Sequence, residues 1–561
     1  MRRNRAGRGA LLASLTAVLA AGGLLAQSPG AVPSSGSGLF ETVRGLLLRD
    51  YVEPLAPDSL YDLAVRGLLR EIGDPYAALI RPEDRRSALL TGDYGGVGME
   101  ILAQDEGILV LDVIPASPSS RLGLRRFDLI VAVDGAGTAG WSQAEAVGAL
   151  RGPKGEPVQV AVVRGGAADT LSFSIVRDDV HLVAVESLLL EGGIGYARLT
   201  SFSQASRREL QAAVSDLIAT GARSLILDFR YNQGGILREA VEIADLFLER
   251  GDQVVDTRAR DPRDSQTYAA PGPDRYPGLP IVVLVNEWSA SASEIVAGAL
   301  QDHDRALVMG TRTFGKGVMQ SVFPLPGGNW LRLTTGTWFT PSGRSIHRER
   351  SGDGEHAFAL GSEAFNEAVA DAVRGAVAGL PDMASSEPDA DAGEVLVFRT
   401  AGGRPVYGGG GIVPDVLVRR DTVEAAERAL AQALADAGES LSSLALRFAA
   451  RRVIDTPRAA ADGRLTPEVR RAFDRFVAAE TRGAADAGKM ERAREAADAV
   501  LARELAVIAG GDAAGLRLVL DRSHEVGEAA RLLREARSPE ALFALASTAG
   551  DVEPDGTDGE S

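Results

Sequence analysis

Three serines, Ser289, Ser291 and Ser293, and one lysine, Lys316, are the residues of this 561-residue chain best suited to covalent chemistry. The serines lie in Ser289-Ala-Ser-Ala-Ser293, between the apolar run Ile281-Val-Val-Leu-Val285 and a stripe formed by Ile295, Val296, Ala299 and Leu300. Strand, turn and helix in that order put hydroxyls at a helix N-terminus, where unpaired N–H groups and the positive dipole end favour a developing negative charge. The lysine lies in Thr313-Phe-Gly-Lys-Gly317, after a second strand, Arg305-Ala-Leu-Val-Met309. A serine hydroxyl attacks a carbonyl well only when a base takes its proton. An amine is such a base when burial pulls its pKa from about 10.4 towards neutrality. Phe314 and Val318 flank Lys316 and are placed to supply that shelter. Residue types alone leave blander readings open, since serines are favoured helix caps and a glycine-flanked lysine suits a solvated turn.

Other chemistries fit worse. Gly310 to Gly317 reads G-x-x-x-x-G-K-G, but Gly317 stands where a phosphate loop needs Ser or Thr to hold magnesium, and the two prolines of Val318 to Pro326 preclude the helix such a loop opens. Of five histidines only His303 falls between the serines and the lysine, in the polar turn Gln301-Asp-His-Asp304, which reads as solvated surface. There is no Gly-x-Ser-x-Gly elbow. The absence of cysteine excludes thiol nucleophiles, disulfides and thiolate metal sites. A net charge of −17 argues against nucleic acid as a partner.

The stretch from Ser289 to Gln320, S-A-S-A-S-E-I followed by T-F-G-K-G and Gln, resembles the signature of the C-terminal processing peptidases, the tail-specific serine proteases of the S41 type. That resemblance puts the nucleophile at Ser291, the base at Lys316 and the lysine-orienting residue at Gln320. It implies an oxyanion hole built from the backbone N–H of Ala292 and from Gly234 or Gly235, with no metal or nucleotide cofactor. The fold it implies is a multidomain α+β and α/β chain: an N-terminal helical segment, a PDZ domain and a layered α/β core of the ClpP/crotonase kind.

The remaining elements follow in chain order. Arg2, Arg3, Arg5 and Arg8 precede the uncharged run Gly9 to Ala26, which makes residues 1–31 a signal peptide or a membrane anchor. Export to the periplasm or cell envelope follows, with or without retention at the inner membrane. Residues 39–93 carry helical spacing at Phe40 to Tyr51 and Leu60 to Ile72. In residues 94–178, short strands at Met99 to Leu102, Ile108 to Val113, Leu129 to Val133 and Val158 to Val163, with a helix at Ser142 to Leu150, resemble a PDZ domain. Its carboxylate-binding turn would be Gly95-Gly96-Val97-Gly98, and an extended peptide would pair with the strand that follows. Phe127 stands where the PDZ pattern usually has glycine.

Residues 182–420 read as the core, with the strands Ile194 to Leu199 and Leu225 to Phe229, a helix capped by Ser203, and the turn Arg230-Tyr-Asn-Gln-Gly-Gly235 before a helix at Leu237 to Leu248. A departure from the family is an insertion of about 350–395 before Gly411-Ile-Val-Pro-Asp415. The glycine run Gly408 to Gly411 is a second phosphate-loop lookalike that no lysine follows. Residues 421–550 turn rich in Ala, Arg, Glu and Leu at helical spacing, outside the resemblance, and read by default as a plain helical bundle. Residues 551–561 are an acidic tail with a disordered composition.

The expected function is an exported serine endopeptidase that binds protein substrates by their C-terminal ends. Membrane anchoring and homo-oligomerisation are compatible with the sequence. The competing expectations are a catalytically inactive PDZ scaffold of the cell envelope and a nucleotide-binding ATPase.

Overall fold

A computed structural model describes residues 36–81, 93–164, 170–348, 396–418, 425–455 and 463–549. The expected leader or anchor, the insertion at 350–395 and the acidic tail lie outside the described residues. The chain divides into two units, Met1–Leu79 and Ile80–Ser561. Among the described residues no helix is long and apolar enough to cross a membrane.

In the first unit the helical spacing is realised as α1 (Gly36–Asp50) and α2 (Pro57–Glu71). Pro57 opens α2 at a position where its missing N–H costs nothing. The rings of Phe40 and Tyr61 lie 6.4 Å apart between the two helices.

The second unit begins with the PDZ region. It comprises β1 (Asp93–Gly96), β2 (Met99–Gln104), β3 (Gly107–Val113), β4 (Leu129–Val133), α3 (Gln143–Leu150), β5 (Pro157–Val163), β6 (Thr170–Val176) and β7 (Asp178–His181). The order β2-β3-β4-β5-β6 leaves β2 at an edge, while β1 pairs with β7. Alternate residues such as Ile108, Val110, Val158, Val160 and Val162 point inwards and, with Ala146 and Leu150 of α3, fill this domain's core.

The core is a six-stranded sheet of β8 (Val185–Leu190), β9 (Ile194–Leu199), β10 (Ser224–Asp228), β13 (Ile281–Val285), β14 (Leu307–Gly310) and β17 (Val416–Leu417), adjacent in that order. Between these strands run α4 (Ser206–Ala219), α5 (Leu237–Ala244), β11 (Gln253–Ala259), β12 (Gln266–Ala269), α6 (Ala292–Asp302), β15 (Val318–Pro324) and β16 (Trp330–Phe339). From β9 to β17 every pairing is parallel, and β8 is antiparallel to β9. Strands β11, β12, β15 and β16 join in a separate antiparallel sheet.

The continuous apolar run of β13 demands cover on both faces. Ile281, Val283 and Val285 pack with α4, α5 and α6, whereas Val282 and Leu284 face the opposite way. Cover for that second face comes from the C-terminal helices. Of α7 (Ala425–Asp436), α8 (Leu441–Asp455), α9 (Pro467–Glu480), α10 (Ala487–Arg492), α11 (Arg494–Gly510), α12 (Asp512–Arg522), α13 (His524–Glu535) and α14 (Pro539–Ala549), the last three lie on the sheet. Leu520, Val526, Ala529, Leu533, Leu542 and Ala546 meet Ile194, Tyr196, Ile226, Val282, Leu284 and Met309. The C-terminal region is helical as expected, and its last three helices join the sheet's core. Helices α7 to α11 have their own core around Leu444, Phe473, Val477 and Leu501, and Leu111 and Phe127 of the PDZ region pack against it. Phe127 takes a left-handed φ of 68°, which explains why glycine suits the position. The Arg126 guanidinium covers its ring and donates to the carbonyls of Leu111 and Val507.

Three local expectations change. Helix α4 starts at Ser206, whose hydroxyl accepts the N–H of Ser203 at 2.7 Å, so Ser203 sits in the preceding turn rather than at the cap. Helix α6 is buried at every residue instead of along one stripe, because it passes through the middle of the core. His303 is half-buried, with Nε2 2.7 Å from the Gln253 carbonyl, rather than solvated surface.

The sheet's outer face also carries a buried charge network. Arg230 grips Asp228 with contacts of 2.6 to 3.0 Å and reaches Ser523 Oγ at 3.1 Å and Glu525 Oε2 at 3.2 Å. Burial pushes the Asp228 carboxyl up, but the Arg230 guanidinium outweighs it and holds the carboxyl below the usual aspartate value. Replacing Arg230 by Ala leaves two carboxylates buried without their cation and should cost about 3–5 kcal/mol in denaturant unfolding. Asp228's own contribution is present above the unfolded pKa of about 3.9 and should decline as pH falls from there towards its depressed folded value.

Candidate active site

The turn between β13 and α6 separates the three serines by their bonding. Ser289 Oγ donates to the Phe229 carbonyl at 2.8 Å and Ser293 Oγ to the Asn232 carbonyl at 2.8 Å, and both residues are fully buried. Ser291 is half-buried and adopts φ 56°, ψ −113°, a conformation few non-glycine residues tolerate. Strain of that kind costs on the order of 1–3 kcal/mol and persists only where the surroundings enforce it. Here the enforcing contacts are several. The Ala290 N–H donates to the Asn232 carbonyl at 3.0 Å, and the Ser291 N–H donates to Glu294 Oε2 at 2.8 Å.

Glu294 is the residue that sequence reasoning passed over. Its carboxylate is fully buried and accepts four hydrogen bonds: from the N–H of Ser291 (2.8 Å), Gly315 (2.7 Å) and Lys316 (2.9 Å), and from the Thr313 hydroxyl (2.5 Å). One side chain thus clamps the serine turn to the lysine loop. Burial pushes the carboxyl up from its ordinary value, against the pull of those four donors. A signal was present, since Ser291 and Glu294 have the N-cap and N3 spacing of a capping box.

Lys316 is half-buried, between the buried Phe314 and Val318. Its Nζ donates to Gln320 Oε1 at 2.9 Å, so the structure brings those two expected residues together. The loop is held from behind. The Trp338 indole donates to the Lys316 carbonyl at 3.2 Å, and Thr313 exchanges bonds with Ile412, its N–H reaching the Ile412 carbonyl at 3.1 Å and its hydroxyl accepting the Ile412 N–H at 2.6 Å. Here the glycine run Gly408–Gly411 finds its use. A Cβ on Gly411 would lie 2.3 Å from the Thr313 carbonyl oxygen, so only glycine lets the chain pass behind the lysine loop.

The glycine turn expected to complete an oxyanion hole abuts the serine. A Cβ on Gly234 would lie 2.7 Å from the Ala292 nitrogen and 2.9 Å from Ser291 Cβ. The Gly234 N–H donates to Asn232 Oδ1 at 2.8 Å, and Asn232 Nδ2 anchors to the Leu199 carbonyl at 2.7 Å. Gly235, at φ 148°, lies against the Phe202 carbonyl.

In the PDZ region Gly95 and Gly96 lie in β1, opposite Asp179 and Asp178 of β7. The Val97 carbonyl accepts the Ser119 N–H at 3.0 Å and its hydroxyl at 2.7 Å, and the Gly98 carbonyl accepts the Ser117 hydroxyl at 3.0 Å. Because a trans peptide sets N–H opposite C=O, the N–H groups of Gly98 and Met99 turn away from that segment. Among the described residues no group of three or more His, Cys, Asp or Glu is arranged to hold a metal.

Two family models match the chain, one over the core and one over the PDZ region. The model of peptidase family S41 matches residues 193–352, and that of the PDZ domain matches residues 89–163. The carboxy-terminal-processing protease of Bartonella bacilliformis is 39% identical over 315 residues, covering 55% of this chain and 71% of that protein. The carboxy-terminal processing protease CtpA of Bacillus subtilis is 32% identical over 302 residues, covering 54% of this chain and 64% of its own length. Among solved structures, the photosystem II D1 C-terminal processing protease is 29% identical over 55% of this chain and 89% of that chain, with a TM-score of 0.32.

The clamp makes a direct prediction. In Glu294→Gln an amide N–H₂ faces two backbone donors, so the variant should lose about 1–3 kcal/mol for each donor left unpaired, read by denaturant unfolding. Gly234→Ala should be comparably destabilised, through its clash with the Ala292 nitrogen.

Proposed function

Because the chain belongs to the carboxy-terminal processing proteases of peptidase family S41, we propose that it is an exported serine endopeptidase. In this reading it binds protein substrates by their C-terminal ends through its PDZ domain and cuts them with a Ser291–Lys316 dyad. The observation that carries the reading is the shared Glu294 carboxylate, which fixes the backbones of serine and lysine together while Gln320 holds the lysine amine.

Ser291 Oγ attacks the scissile carbonyl as its proton passes to the neutral Lys316 amine. The carbonyl oxygen becomes an oxyanion held by the Ala292 N–H and by an N–H of the Gly234–Gly235 turn, Gly234 serving only if it leaves Asn232. Collapse of the adduct breaks the C–N bond, and Lys316 returns the proton to the departing amine. Water then hydrolyses the acyl-serine by the reverse path, with Lys316 again taking a proton. Gln320 aims the amine, and Glu294 acts through both backbones without touching substrate. In the PDZ domain the N–H groups of Gly98 and Met99 would hold the terminal carboxylate, while the tail pairs with β2. Export rests on the basic head and apolar run at the N-terminus.

The test is cleavage of a loosely folded protein with a free C-terminal tail. Ser291→Ala and Lys316→Ala should each lower kcat/KM by at least about 10³-fold, and a serine-directed phosphonylating probe should label wild type at Ser291 alone. Full activity in either variant overturns the dyad. An unlabelled, inactive wild type favours the inactive scaffold instead.

A further inference from the structure

The edge of β2 that faces α3 is already occupied. Gln143, the first residue of α3, reaches across the groove with its side-chain amide. Its Oε1 accepts the Ala103 N–H at 2.8 Å and its Nε2 donates to the Ile101 carbonyl at 3.0 Å. In an antiparallel pairing, a carbonyl and the N–H two residues later on the same side of a strand are engaged by two residues of the adjoining strand, one giving its N–H and the other its carbonyl. The primary amide therefore stands in for one N–H and one carbonyl of a strand that is not there. The reach is fixed by the helix start: the Ser142 N–H donates to Glu145 Oε2 at 2.8 Å, and the Glu145 N–H donates to Ser142 Oγ at 3.3 Å. With β2 at the end of its sheet, no strand covers this edge.

We propose that Gln143 is a strand-mimicking gate that limits how far along β2 a substrate tail can pair. The inference rests on the reading of the PDZ domain as a receptor for chain ends. A tail anchored by its carboxylate at Gly98 and Met99 runs antiparallel to β2. Its last residue pairs with Met99 without obstruction. The residue whose N–H should reach the Ile101 carbonyl, and the residue two before it whose carbonyl should reach the Ala103 N–H, meet the amide already there. Longer pairing requires the Gln143 side chain to swing out and exchange its two bonds for the peptide's. Gln143 thus penalises extended tails relative to short ones and belongs among the residues that set specificity.

The experiment uses the full chain carrying Ser291→Ala, so that bound peptide is not cut. Fluorescence anisotropy measures a labelled alanine-rich octapeptide with a free carboxylate, the same peptide amidated, and an unlabelled dipeptide acid as competitor. Gln143→Ala should bind the octapeptide acid roughly three- to tenfold more tightly, the net worth of about one hydrogen bond, and leave the dipeptide unchanged. Gln143→Glu keeps the acceptor for Ala103 but loses the donor to Ile101, and should fall between the two. Weaker octapeptide binding in Gln143→Ala overturns the proposal, because the amide would then be a contact to the peptide. Equal gains for dipeptide and octapeptide, or no gain for either, overturn it as well. Separately, equal affinity of acid and amidated octapeptides removes the chain-end reading, and with it the anchor that the gate presupposes.

Discussion

One buried carboxylate holds the candidate site together. Glu294 takes its four hydrogen bonds from two segments, the serine turn and the lysine loop. A neutral acceptor could not serve four donors in so dry a place. An ionised one is costly to bury unless it is fully engaged, so the interaction either forms completely or not at all. That condition makes the strained backbone of Ser291 tenable. The turn cannot relax without orphaning a donor in the lysine loop as well.

The same logic of complete satisfaction extends to the sheet. Strands β10 and β13 alternate their side chains between two apolar layers, and the second layer exists only because α12 to α14 return to cover it. Arg230 makes that return specific. It leaves Asp228 at the strand end and reaches Ser523 and Glu525 where α13 begins, so the docking position is set by charge and not by greasy contact alone. The PDZ region is joined to the far end of the same helical region through Phe127 and Arg126.

Much of this was readable in the residues. The uninterrupted run Ile281–Val285 announced a strand buried on both faces, and the helical start after Ser291 followed from the apolar residues beyond it. The pairing of Lys316 with Gln320 followed from the signature, as did the glycine turn beside the serine. What stayed hidden depended on contacts between residues distant in sequence. Nothing local to Glu294 says that its carboxylate serves a loop some twenty residues on, although its capping-box position was a hint. The glycines at 408–411 resembled a phosphate loop because glycine tolerates close approach of any kind, and only the fold shows that the neighbour is Thr313. Composition marked the C-terminal region as helical. It carried no trace of α12 to α14 belonging to the core, since an apolar stripe looks the same whatever it covers.

The backing of the lysine loop by Gly411 and Ile412 has a consequence for the protein's own birth. As the chain leaves the ribosome, the serine and the lysine emerge long before the run of glycines that braces them, and longer still before the helices that roof the sheet. A half-made molecule therefore carries both side chains with no architecture to align them. Their alignment comes last, after synthesis has passed the final roofing helix, and until then nothing holds the serine turn in its strained shape.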